Sequence, residues 1–272
     1  MSRTTPLPPL LEPYLALPPE TALLVLTGVL GASTNWLVLR YLHALLKPRR
    51  QTTEPEQEEA PTTSLLLVSF LRDYPFWRDG CSRLGLDLDA MASKGRFGFV
   101  DGLGGLFTAE SAGKQRGRWP APGVGEVGRV VDEAVDALSS RGGRVVVVVD
   151  GLDLLVAASG RGVDDGEGWK GVVMGWREKV HAMILTLAAD EPLITAQNTA
   201  LEKGHAAFVL SLAHEAQMVA SLRLLDTGTA KDVSGVLRIT GGGDDSGHAV
   251  EEKEYLYHVG GDGGVRVFER GQ

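Results

Sequence analysis

The sequence has a single cysteine, no excess of positive charge and no uninterrupted apolar run of membrane length. One cysteine, Cys81, excludes an intramolecular disulfide and any multi-cysteine metal site, and fits a reducing compartment. With no His/Asp pattern beside it, Cys81 is expected to be a buried packing residue. The six histidines (His43, His181, His205, His214, His248, His258) are scattered. His205 and His214 would project differently from a helix, so no ligand pair forms and no metal is expected. A net charge of -8 argues against a generally basic nucleic-acid binder and leaves only localised basic loops to touch a phosphate backbone. Residues 21–46 are strongly apolar, but Thr27, Ser33, Thr34, Asn35, Arg40 and His43 interrupt them. Polar groups are costly in hydrocarbon, so the segment reads as strand–turn–helix rather than a membrane span. The start, residues 1–9, has no apolar signal-peptide core, so no secretion signal is expected.

What is present is an alternation of apolar strands with amphipathic helices. Strands are predicted at 22–27, 64–70, 97–101 and 144–150, the last being five consecutive valines closed by Asp150. Helices are predicted at 34–47, 75–84 and 126–140, where Val127, Val130, Val131, Ala134, Val135 and Leu138 make one apolar face. Further on, Lys170–Ala188 reads as helix, Pro192–Gln197 as a strand and 200–214 as helix. Strands at 216–224, 235–240, 253–259 and 264–269 follow, the last three as an antiparallel meander. The pattern predicts one α/β domain over residues 1–272, with a mainly parallel sheet, helices on both faces and a C-terminal antiparallel extension. Residues 1–20 form a proline-rich N-terminal segment, and 48–63, 106–125 and 241–250 are expected to be disordered loops.

The segment Leu23–Trp36 has the layout of a phosphate-binding loop: an apolar strand, a glycine turn and an apolar-periodic helix. That motif, Gly-x-x-x-x-Gly-Lys-Ser/Thr, needs amides to cradle phosphates, a lysine to neutralise them and a hydroxyl for magnesium. Counting from Gly28, the second glycine falls on Ser33, the lysine on Thr34 and the hydroxyl on Asn35. Asp150 ends its strand as a magnesium-orienting aspartate would, or it caps a helix over 152–155. Asp101 ends another strand, where RecA-like ATPases continue to a glutamate that activates water. Here that position is Leu103, which accepts no proton. Gly28, Ser33, Thr34, Asn35 and Asp150 therefore read as a degenerate nucleotide site without catalytic residues. Lys114, Arg116 and Arg118, beside Trp119 in a glycine-rich loop, have the composition of an RNA contact. Lys203 and His205 fall where a RecA-like pore loop would lie.

One long stretch carries a resemblance. It comprises Leu67-Val68-Ser69-Phe70-Leu71-Arg72-Asp73-Tyr74-Pro75-Phe76-Trp77-Arg78, then Arg83–Asp87 and Gly95–Leu103. Ser211–His214, Leu225–Gly228 and Lys231–Gly235 add to it. The chain resembles the sixth subunit of the eukaryotic Elongator complex, in a fungal form, over most of its length outside the N-terminal prolines and the loops. The likeness is one of overall sequence, not of a catalytic signature. It implies a RecA-like fold without the usual phosphate-loop chemistry, assembled with the fourth and fifth subunits into a heterohexameric ring. Such a ring joins the catalytic Elongator subunits, binds transfer RNA and supports wobble-uridine modification in cytoplasm and nucleus. No cofactor is implied for the chain itself; ATP would act at ring interfaces. Trp36, Trp77, Trp169 and Trp176 are candidates for interface anchors or for core. The rivals are an autonomous NTPase that borrows a cation, from Arg40 or from a neighbouring chain, and a RecA-like recombinase paralogue that scaffolds DNA repair.

Overall fold

The computed structural model describes residues 7–47, 62–104, 124–159, 163–225, 230, 232–243 and 249–269. A 3-10 turn (Pro9–Leu11) and a short helix α1 (Glu12–Leu15) lead into β1 (Ala22–Gly28), α2 (Asn35–Leu46) and β2 (Thr63–Ser69). Helices α3 (Tyr74–Arg83) and α4 (Leu88–Ser93) precede β3 (Phe97–Asp101); α5 (Val124–Ser139) precedes β4 (Arg144–Asp150). Then come α6 (Asp153–Ser159), α7 (Val163–Lys179), β5 (Ala182–Ala188), a π-helical turn (Pro192–Ala196) and α8 (Ala200–Glu215). The chain ends in β6 (Met218–Arg223), β7 (Gly235–Gly241), β8 (Lys253–Val259) and β9 (Val265–Phe268).

All nine strands form one sheet in the order β3-β2-β4-β5-β1-β6-β7-β8-β9. The first six positions are parallel, and β7, β8 and β9 extend the sheet as antiparallel strands. Alternation decides the layers. Leu24, Leu26, Leu65, Leu67, Val146 and Ile184 pack toward α2 to α4. Leu23, Val25, Leu66, Val68, Val147 and Met183 pack toward α5 to α8. Strands apolar on both faces are what a covered parallel sheet requires. The N-terminal segment joins the first layer through the buried Leu11 and Leu15.

The largest departure from the sequence reading lies at 180–197. The run Ala182–Ala188 is not the end of a helix but β5, between β4 and β1. Pro192–Ala196 is not a strand but the π-helical turn after it. A short run that is apolar on every side fits a buried helix and a buried strand equally well by periodicity. Here the sheet decides, because β5 fills the slot that joins the two halves. The four tryptophans named as anchor candidates are core: Trp36, Trp77, Trp169 and Trp176 are all buried. Cys81 is fully buried, and burial pushes its thiol up to about 12.

Candidate functional site

The parallel strands end along one edge, and the segment after β1 turns there into α2. Val29–Ala32 folds as a tight turn, closed by the Ala32 N–H donating to the Val29 carbonyl at 2.8 Å. Gly31 takes φ +90° there, the left-handed value that a type II turn asks of its third residue. Leu30 at the tip is 87% exposed, and its N–H donates to the Asp190 carboxylate at 2.7 Å. Ser33 is exposed and its Oγ accepts the Asn35 N–H at 3.2 Å; Thr34 is buried at the N-cap position of α2. Gly28 is pressed against the turn: a Cβ there would lie 2.7 Å from the Ala32 carbonyl oxygen. Residues 28–35 thus keep strand, turn and helix but form a closed turn rather than an open cradle. They offer an anion no cation, and the Leu30 amide already serves a carboxylate.

Asp150 sits two strands away from β1, with β5 between. It is fully buried. Ser69 Oγ donates to its Oδ2 at 2.8 Å, and Thr186 Oγ1 donates to its Oδ1 at 2.9 Å. Thr186 in turn accepts the Gly151 N–H at 2.8 Å, and Ser69 accepts the Arg72 N–H at 3.0 Å. Burial raises the Asp150 carboxyl; the two hydroxyls and the nearby Arg72 charge pull against that shift. The carboxylate therefore pins the ends of β2, β4 and β5 together. It does not cap α6, which opens at Asp153. Asp153 is half-buried, its carboxyl raised by burial and countered chiefly by His205, which lies near it. Asp101 also serves its own loop: its Oδ1 accepts the Gly104 N–H at 2.6 Å, while Leu103 stands exposed.

The remaining sequence candidates are not gathered there. His205 is buried in α8 with Nε2 2.9 Å from the Ala188 carbonyl oxygen, so its ring is not at the surface. Lys203, in the first turn of the same helix, is exposed. Lys114, Arg116 and Arg118 lie outside the described residues. Arg40 is turned away from the β1 turn: it is 2% exposed, and its Nη2 donates to the Gly263 carbonyl between β8 and β9 at 3.0 Å. Burial lowers its guanidinium to about 10. Sequence reasoning missed Asp190, Ser69 and Thr186. A threonine inside the apolar run Ala182–Ala188 is the available signal, masked by the run's equal fit to a buried helix.

Among the described residues, no group of three or more His, Cys, Asp or Glu could hold a metal ion. None of their helices is long and apolar enough to cross a membrane. A cavity of about 310 Å³ lies at the opposite edge of the sheet, lined by Tyr14, Leu17, Pro18, Leu24, Met218 and Val250 among others.

No protein-family model matches the sequence, and no curated protein matches it. Among solved structures, a KaiC-like protein from the hyperthermophilic archaeon Pyrococcus horikoshii OT3 matches with a TM-score of 0.58. The match covers 92% of this chain and 90% of that one, at 15% sequence identity. The fold is RecA-like. Likeness at that identity carries the fold alone. The strand order and the antiparallel extension beyond β6 agree with it.

Proposed function

We propose that this chain is a RecA-like subunit that acts within an assembly instead of turning over nucleotide itself. The assembly is the accessory ring of the eukaryotic Elongator complex, built with the fourth and fifth subunits. In that role the chain supports transfer-RNA binding and wobble-uridine modification alongside the catalytic subunits, in cytoplasm and nucleus. The observation that carries the reading is the closed turn at Val29–Ala32 with the Asp190 carboxylate on its outermost amide. A triphosphate needs converging N–H groups and a lysine at that place; residues 28–35 supply neither the opening nor the cation. Asp150, held by two hydroxyls, is committed to the sheet. The choice of assembly rests on the sequence stretches around Phe70–Trp77 and Gly95–Leu103. With a net charge of -8, RNA contact falls to localised basic residues such as Lys114, Arg116, Arg118 and Lys203, with salt-sensitive affinity.

Affinity purification of the full chain from its own cells tests the reading. The fourth and fifth Elongator subunits are expected in stoichiometric yield, and the chain alone is expected to show no ATP turnover. Recombination proteins in their place would overturn the assignment. Steady ATP turnover by the isolated chain that dies on Asp150→Ala would make it an autonomous NTPase.

A further inference from the structure

The cavity of about 310 Å³ lies near the amino ends of β1 and β6, on the α2 side of the sheet. Leu24, Gln217 and Met218 at its floor are buried, whereas Ala16, Ala249 and Glu251 at its rim are exposed. One wall is the N-terminal segment and the other is 249–251, just before β8. The walls are tied to each other and to the body of the fold. Tyr14 Oη donates to the Glu251 carbonyl at 2.9 Å, and Tyr41 Oη, from α2, donates to the Tyr14 carbonyl at 3.0 Å. His181 Nε2 lies 2.9 Å from the Pro18 carbonyl oxygen. The recess is thus built before anything enters it, which lowers the ordering cost of binding.

Gln217 gives the recess a polar handle. It is 8% exposed. Its backbone is paired on both sides, the N–H donating to the Leu23 carbonyl at 2.9 Å and the carbonyl accepting the Gly242 N–H at 3.1 Å. Its carboxamide has no hydrogen-bond partner among the described residues. A polar group so deeply buried is normally paired. A carboxamide offers donor and acceptor at once, and a peptide group complements both.

Charge and size narrow the occupant further. Glu251 is the one charged residue in the lining, and Lys253 Nζ already meets its carboxylate at 2.7 Å. A phosphate or carboxylate would find no cation in the lining. The volume is about twice that of a cavity that takes benzene and sits at the foot of the range for small-molecule pockets. It has room for one large side chain. With its rim exposed, it would leave a small molecule partly in water, whereas a chain can seat one side chain and pass across the mouth.

We propose that this recess binds an extended peptide segment of another protein. The segment seats one large apolar side chain over Leu24 and Met218 and pairs the adjoining peptide group with the Gln217 carboxamide. A wall that includes Tyr14, Pro18 and Pro19 suits such a segment, since grooves lined by rigid rings hold extended chains without a fold of their own. The site is remote from residues 28–35 and stands independently of the ring assignment.

Panning a phage library of random peptides on the full chain tests it, after depletion on the variant Ala249→Trp, which covers the mouth from an exposed position. The expected survivors share one leucine, methionine or phenylalanine at a fixed place. A synthetic survivor should bind the full chain in fluorescence anisotropy and lose that binding when the apolar residue becomes alanine. Gln217→Leu, which keeps the shape and removes the carboxamide, should weaken it about tenfold while the melting temperature holds. N-methylation of the adjoining peptide group should weaken binding equally in the native chain and add nothing in Gln217→Leu. No survivors after depletion overturn the proposal. So do survivors that require an acidic or phosphorylated residue, survivors that match a stretch of this chain, or binding indifferent to Gln217→Leu.

Discussion

The Asp190 carboxylate accepts the Leu30 N–H at 2.7 Å, tying the end of β5 to the tip of the turn after β1. A second tie runs beside it, from the Ala189 N–H to the Gly28 carbonyl at 2.8 Å. Together they hold an acid against the backbone amide that a phosphate-binding loop would offer to its ligand. Restoring the loop sequence with Ser33→Gly, Thr34→Lys and Asn35→Thr is therefore expected to leave the chain without nucleotide affinity. Titration with a fluorescent ATP analogue checks this; saturable binding by the triple variant would show that the turn opens.

Gly28→Ala probes the same closure from within. Its Cβ would meet the Ala32 carbonyl oxygen at 2.7 Å and the Thr34 side chain at Cγ2 at 3.3 Å, so the backbone of the turn must shift. A loss of about 2 kcal/mol is expected, in the range of overpacking changes, read from urea unfolding. A neutral result would mean the turn is slack.

Asp150→Ala removes the acceptor shared by Ser69 and Thr186. Two buried hydroxyls lose their partner and a small cavity opens where three strands meet. The expected cost is about 3 kcal/mol. A cost under about 1 kcal/mol would show that the carboxylate does not hold the strands.

His43 is 2% exposed, and neither ring nitrogen has a hydrogen-bond partner. Burial, then Lys47 and Arg40, lower its pKa from 6.5 to about 4. The folded value lies below the unfolded one, so the ring is neutral in the fold. Its stability contribution is full above pH 6.5 and lost as pH falls toward 4. Discounted for screening, the loss is about 2 kcal/mol. Because carboxylates titrate in the same window, the check is a comparison: His43→Leu should lose less stability than the native chain between pH 7 and pH 4.

Arg40 carries a buried charge with a backbone carbonyl, not a carboxylate, as its partner. Replacing such a cation with an apolar side chain of similar length is commonly neutral or favourable. Arg40→Met is expected to change stability by less than about 1 kcal/mol, whereas Arg40→Ala should cost more because it leaves a void. Thermal melting of the two variants separates these effects.

Much of this fold was legible in the chain because its strands are punctuated. The valines of Val145–Val149 end at Asp150, and Ala22–Gly28 ends at a glycine turn, so length and flanking residues marked both as buried strands. The amphipathic face of α5 was equally plain, with Val127, Val131, Val135 and Leu138 buried as the spacing predicts. Alternation of these elements was enough for a covered, mainly parallel sheet. β5 escaped because Ala182–Ala188 is apolar on both faces and follows a helix with little break, so local pattern could not choose a state.

The sequence by itself determined that the turn after β1 lacks lysine, since that is a matter of which residue stands at 34. Only the tertiary structure decided what that turn meets. Asp190 lies 160 residues from Leu30, and Ser69 lies 81 residues from Asp150. Hydrogen bonds over such separations exist because β5 and β2 are brought beside β1 and β4 in the sheet. Side-chain spacing along the chain carries no trace of that neighbourhood, so the meaning of these carboxylates was settled by strand order.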